Sequence, residues 1–137
     1  MRIERWLVAA GLALFLISLA LPALVSESFP AQSGLDLLRQ RAEFARNDIY
    51  AWYANPVLSL ALILAWLRYY RSGLVAAALG MLLALSIFTA PAALAEAGRS
   101  LPEFRYGTGF YVWLGAFVCA LAAGISGLLQ KNVRGSD

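Results

Sequence analysis

The sequence predicts an all-α integral-membrane protein, a four-helix bundle, and three observations carry that expectation. The first is four apolar runs, Trp6–Val25, Tyr50–Leu67, Gly73–Leu94 and Thr108–Leu129, with no ionisable side chain deep inside any of them. Each approaches the roughly 20 residues that cross a hydrocarbon core of about 30 Å. The second is composition: of 137 residues, 61% are hydrophobic and 14% charged, with a mean hydropathy of +0.69. Spans of that length consume nearly the whole chain, so residues 1–137 form a single domain. The third is the placement of charge, which gathers at span ends.

That placement sets an expected orientation. Arg2 and Arg5 precede the first span, Arg68 and Arg71 sit in the tight turn after the second, and Lys131 and Arg134 follow the fourth. Arg39, Arg41, Arg46, Arg99 and Arg105 fall on the other side. The first set crowds the helix ends, and no basic residue follows the first span until Arg39. Basic residues favour the cytoplasmic side, so both termini are expected there.

In chain order, the first span follows Met1-Arg-Ile-Glu-Arg5, which resembles a secretory n-region. Its apolar run exceeds the 7–15 residues of a signal sequence. An uncleaved helix is expected, although Ser26 and Ser28 would suit a cleavage site; it should end around Leu21-Pro22, with Pro22 kinking its outer turn. The outer segment, residues 26–49, opens with a capping-box pattern, Ser33-Gly-Leu-Asp36. Leu35, Leu38, Ala42, Ala45 and Ile49 then recur at helical spacing, with Asp36, Arg39, Glu43 and Arg46 largely opposite. The pattern predicts an amphipathic outer helix with ion pairs three or four residues apart.

The second span covers residues 50–70. Asn55-Pro56 is a helix-start signature, Asn as N-cap and Pro at the first helical position. A helix from Pro56 to Tyr70 would be only about 22 Å long. The span therefore starts near Ile49 and bends at Pro56, or a lead-in completes it. Tyr50, Trp52 and Tyr53 read as an outer aromatic belt, and Trp66, Tyr69 and Tyr70 as an inner one. Ser72 should cap the third span, which is expected to kink at Thr89-Ala-Pro91. Glu96, Arg99, Glu103 and Arg105 occupy the next outer loop, and Gly107-Thr108-Gly109 turns into the fourth span with Thr108 as cap.

Small residues line the expected seams. The fourth span has Gly115, Cys119, Ala123 and Gly127 at four-residue spacing, with Ala116, Ala120 and Gly124 beside them. The third offers Ala76, Gly80 and Ala84, and the first has Gly11 and Ser18. Such stripes let backbones approach closely where lipid gives no hydrophobic drive for association. The third and fourth spans should touch intimately.

The sequence also narrows function. It has no histidine and one cysteine, Cys119. That removes bis-histidine haem ligation, ordinary His/Cys zinc sites, Ser-His or Cys-His catalysis and dithiol redox chemistry. No catalytic residue, cofactor or metal site is expected. No run of basic residues suggests a nucleic-acid partner. Transport coupled to protons or ions calls for an ionisable group at depth, and the deepest polar atoms are hydroxyls of Ser18, Ser59, Ser86, Thr89 and Ser126.

What is left is a contact surface. Arg39, Arg46, Trp52, Asn55, Arg99, Arg105, Tyr111 and Trp113 are the candidate contacts with a partner or lipid. Gly80, Ala84, Gly115, Ala123, Gly124 and Gly127 are the candidate packing positions.

Two motifs carry a resemblance. Ala51-Trp-Tyr-Ala-Asn-Pro56 opening the second span and Gly107-Thr-Gly-Phe-Tyr-Val-Trp-Leu114 opening the fourth are similar to small bacterial four-span inner-membrane proteins with no assigned activity. The resemblance implies architecture and membrane, and no reaction. Arg41-Ala-Glu-Phe-Ala-Arg-Asn47 is faintly similar to the membrane-associated eicosanoid and glutathione enzymes. That family's acidic-then-proline pattern fails here, because Asp48 lies too far before Pro56. The expected function is a non-catalytic accessory, scaffold or assembly protein that binds lipid, another membrane protein or a second copy of itself. The alternatives are an immunity-type protein that blocks a membrane toxin, and a channel or carrier for an uncharged or lipidic solute. The last predicts a cavity lined by Asn55, Ser59 and Ser86.

Overall fold

The computed structural model describes residues 3–27, 30–39, 50–89 and 105–134, the side chains of Asn132 and Arg134 aside. It is mostly helical. Among the described residues three helices are long and apolar enough to cross a membrane: α1 (Ile3–Ala20), α4 (Tyr70–Leu85, extended by a 3-10 turn to Phe88) and α5 (Thr108–Arg134). Between them lie a short α2 (Gly34–Arg39) and the apolar α3 (Ala54–Trp66), entered through a 3-10 turn at Tyr50–Tyr53.

The bundle is organised around α5. It packs along α1 on one side and α4 on another, and α3 lies chiefly against α4. Ala116, Phe117, Ala120 and Ala123 of α5, Ala76, Ala77 and Ala84 of α4, and Ala54, Leu58 and Ala61 of α3 form the buried seam. Small side chains let the backbones close on one another, and Phe117 fills the room they leave. A Cβ placed on Gly80 would fall 2.6 Å from Phe117 Cε1. The lipid-facing surface is built instead from large aliphatics such as Leu16, Leu79 and Leu82.

The chain departs from a pure bundle at the Asn55 end. Pro22 ends α1 rather than kinking it. Its ring disfavours helix in the preceding residue and it has no N–H to donate, so the helix stops at Ala20. Pro22–Val25 then forms β1, the centre of a three-stranded antiparallel sheet with β2 (Gln32–Ser33) and β3 (Arg105–Tyr106). Leu24 pairs with Tyr106 and with Gln32. Backbone bonds extend the sheet, Gly107 N donating to Ala23 O at 2.8 Å and Gly34 N to Leu21 O at 3.2 Å. Both glycines are needed for close approach. A Cβ at Gly34 would lie 2.5 Å from Ser18 O, and one at Gly107 would run into the Pro22 carbonyl. The sheet thus ties the end of α1 to the starts of α2 and α5.

Ser33 and Asp36 make the capping box. Asp36 N donates to Ser33 Oγ, while Ser33 N and Ser33 Oγ donate to Asp36 Oδ2 at 3.1 and 2.7 Å. These bonds, with the Arg39 charge adding to them, hold the Asp36 carboxyl below its ordinary value. The helix so opened is six residues long. The rest of the expected amphipathic stretch, Ala42 to Ile49 with Glu43 and Arg46, lies outside the described residues. So do the Pro91 kink and the loop carrying Glu96, Arg99 and Glu103.

Two expected caps are absent. The α3 helix begins at Ala54, so Asn55 lies inside its first turn, where Pro56 needs no N–H partner. Of the two starts expected from the sequence the structure shows the lead-in, a 3-10 turn over Tyr50–Tyr53; Ile49 lies outside the described residues. Likewise α4 begins at Tyr70 without a side-chain cap, placing Ser72 in its first turn. The α3–α4 turn is closed by a Schellman motif, with Arg68 N donating to Ala65 O and Tyr69 N to Leu64 O. Arg68 occupies the left-handed position at φ 67°. At the far end α5 continues past Leu129 to Arg134, one turn beyond the expected span.

Candidate functional site

Polar side chains concentrate at the two ends of the bundle. At the end carrying the α3–α4 turn, Glu4 of α1 is only 3% exposed. Tyr70 Oη donates to Glu4 Oε1 at 3.3 Å and Gln130 Nε2 donates to Glu4 Oε2 at 2.9 Å. One carboxylate therefore joins α1, α4 and α5. Sequence reasoning misses this cluster. There Glu4 reads as a flanking charge and Tyr70 as a belt residue, yet Tyr70 is buried whereas Trp66 and Tyr69 face outward. The partners of Glu4 stand 66 and 126 residues away. The available hint is the Ile3-Glu4-Arg5 order, which starts the helix before Trp6 and turns Glu4 onto the face of Val8 and Gly11.

At the sheet end the centre is Asn55. Its Oδ1 accepts from Trp113 Nε1 at 3.0 Å, and its Nδ2 donates to Trp52 O at 3.1 Å. Trp52 Nε1 in turn donates to Leu38 O at 3.2 Å, fastening α2 to the 3-10 turn. Of the candidate contacts, the structure thus brings Trp52, Asn55 and Trp113 together and makes them internal struts. A cavity of about 70 Å³ lies beside them, lined by residues including Ser18, Leu24, Leu37, Trp52 and Asn55.

An aromatic cluster continues outward. Tyr106 stacks on Phe110 with centroids 4.4 Å apart, and Phe88 meets both rings edge-on. Burial pushes the Tyr106 phenol above its ordinary value, with Tyr111 adding to the effect. Trp113 carries the series inward to Phe117. Tyr111 is 61% exposed, and Tyr50, Tyr53 and Phe88 also face outward. Arg105 is exposed on β3 and Arg39 at the end of α2. Arg46 and Arg99 lie outside the described residues.

The packing positions divide between the seams. Gly80 and Ala84 of α4 are buried, Gly80 against Phe117 and Val57. Gly124 abuts Leu74, Gly127 lies beneath the Tyr70 ring, and Gly115 is half-buried near Leu14. Ala123 is fully buried. Cys119 is a free, half-buried thiol whose Cβ is close to Gly11.

The hydroxyls named for a solute cavity are spent locally. Ser59 Oγ donates to Asn55 O and Ser86 Oγ to Leu83 O, and outside that set Ser18 Oγ likewise donates to Phe15 O. Among the described residues no group of three His, Cys, Asp or Glu could hold a metal. Asn55 and Ser59 do share one opening, formed by α2, the 3-10 turn and α3 with Phe15 of α1 at its edge, and it leads into a groove between α1 and α3. Comparison with protein-family models, curated proteins and solved structures finds no match for this chain.

Proposed function

We propose that this chain is a small, non-catalytic accessory protein of the bacterial inner membrane, with four spans and both termini in the cytoplasm. Its sheet-capped end recognises another integral-membrane protein. The reading of four spans is supported by Tyr50–Trp66, an unbroken apolar helical stretch. Four residues at the 3-10 rise and thirteen at the α rise give roughly 27 Å, close to the hydrocarbon thickness. The orientation is supported by Arg5, Arg68, Arg71 and Lys131, which belong to the opposite end from the sheet.

The observation that carries the recognition reading is the build of the cap. Three strands, the Asn55–Trp113 strut and the aromatic stack hold it in one shape, while Tyr50, Tyr53, Phe88 and Tyr111 are left exposed around it. Rigid exposed aromatics beside an arginine such as Arg105 are the side chains that dominate protein–protein contacts. Pull-down from native membranes in mild detergent tests this. The wild-type chain should retain an integral-membrane partner in stoichiometric amount. The double variant Tyr111→Ala/Arg105→Glu should retain at least about tenfold less. Equal recovery by the two chains, or a wild-type chain recovered alone, would overturn the reading.

A further inference from the structure

We propose that the groove between α1 and α3 is a binding site for an anionic phospholipid, its acyl chain lying in the groove and its phosphate held by Arg39. The inference rests on the accessory reading, in which the cap meets a protein partner and leaves this face to lipid.

The two helices diverge because neither packs chiefly on the other: α1 follows α5, and α3 follows α4. The opening runs in two stretches of about 540 and 630 Å³ that share Phe15 and Ser59. Leu12, Leu16, Ile63 and Trp66 form the deeper walls and are about half exposed, so the described structure leaves them uncovered. Ser59 is the polar side chain there, and its hydroxyl already donates to Asn55 O at 3.1 Å. A hydrocarbon chain meets only carbon along the deeper stretch, while the outer one keeps polar surface beside Asn55 and Arg39. From Asn55 to Leu67 the path is about 18 Å long and ends at the interface that Arg5 and Arg68 mark.

The two ends differ in charge chemistry. At the deep end Arg5 lies over the Trp66 ring, its Cζ 5.6 Å from the centroid, so that guanidinium is turned onto the helix pair. At the shallow end Arg39 lines the opening with Trp52 and Pro56. A guanidinium at the mouth offers paired donors to a phosphate at headgroup depth. The shape also argues against a docked helix. Close helix contact needs small residues, and Gly11, Ala54 and Ala61 are turned inward, so Ala9 and Ser59 are the small residues left in a wall of mostly branched and aromatic side chains. A flexible chain follows such a wall, whereas a straight helix rides above it.

The test reconstitutes the purified full chain into vesicles of equal parts phosphatidylcholine and phosphatidylglycerol. The protein is re-extracted in mild detergent, and the lipid that stays bound is identified by native mass spectrometry. Wild type should retain phosphatidylglycerol about fivefold over phosphatidylcholine, the worth of one basic residue near an anionic headgroup. Arg39→Gln should bind the two equally. Leu12→Trp, at an exposed position where folding is unaffected, should fill the groove and lower retention of both. Bound lipid that mirrors the vesicle, or an undiminished preference in Arg39→Gln, would overturn the proposal. A second copy of the chain held in place of lipid would overturn it too. None of these results bears on capture of a protein partner from native membranes, so the two readings fail separately.

Discussion

Gly127→Ala should loosen the bundle far more than a single methyl group normally would. Gly127 lies beneath Tyr70, and an added Cβ would fall on that ring, 2.5 Å from its Cγ. The clash reaches the root of the ring, so a swing of the hydroxyl end does not relieve it. Either α4 backs away from α5 or the ring leaves its slot. Overpacking of this kind costs about 1–3 kcal/mol. Displacing the ring also weakens the hydrogen bond from Tyr70 to the buried Glu4 carboxyl, worth about 0.5–1.5 kcal/mol. The new methyl recovers about 1 kcal/mol of helix propensity. The net loss is about 2 kcal/mol. Reversible unfolding by a denaturing detergent in mixed micelles reads this directly. Gly115→Ala is the control, because its Cβ would meet only Leu14 Cδ1 at an ordinary 3.5 Å. It should be neutral or gain up to about 1 kcal/mol. In a Tyr70→Ala background the slot is empty and most of the Gly127→Ala penalty should vanish, a coupling of about 2 kcal/mol. A Gly127→Ala chain as stable as Gly115→Ala, or a penalty unchanged by Tyr70→Ala, would refute the reasoning.

Glu4→Ala should cost about 3 kcal/mol, since it strands the Tyr70 hydroxyl and the Gln130 amide together; the same unfolding titration reads it, and Glu4→Gln should recover part of the loss. Arg68→Gly should stabilise the chain by about 1 kcal/mol, because φ 67° strains every side-chain-bearing residue, which a rise in thermal midpoint would show. Trp113→Phe should lose about 1 kcal/mol with the Asn55 bond. Asp36 should titrate by NMR below its ordinary 3.8, and Ser33→Ala should raise that midpoint. Because the folded value is the lower one, the capping contribution is complete above the unfolded pKa and fades as pH falls through the folded one.

The features legible in the sequence are those that act locally. Ser33 and Asp36 stand three apart and bond to each other, so the pattern alone locates the start of α2. Pro22 marks the end of α1 for the same reason, through its own ring and missing N–H. The sheet beyond Pro22 is not legible in the same way. Two-residue strands such as Gln32–Ser33 and Arg105–Tyr106 have no periodicity of their own and exist because β1 pairs with both. Asn55 shows the same limit from another side. A cap before Pro56 is a sound local expectation, but a Trp113 indole 58 positions away offers its side chain a different partner. Glu4 is hidden for that reason as well, since only the folded bundle brings Gln130 beside it. The small residues of α5 announce a close seam, whereas the open face between α1 and α3 arises from which neighbours each helix prefers.

Site-directed photocrosslinking in native membranes tests most directly whether the capped end is the recognition surface. A benzophenone amino acid at Tyr111, on the exposed edge of the cap, is compared with one at Leu82, 65% exposed on the lipid face of α4. The account predicts a discrete protein adduct from Tyr111 and lipid adducts alone from Leu82. A protein adduct from Leu82 with none from Tyr111, or lipid alone from both, would contradict it.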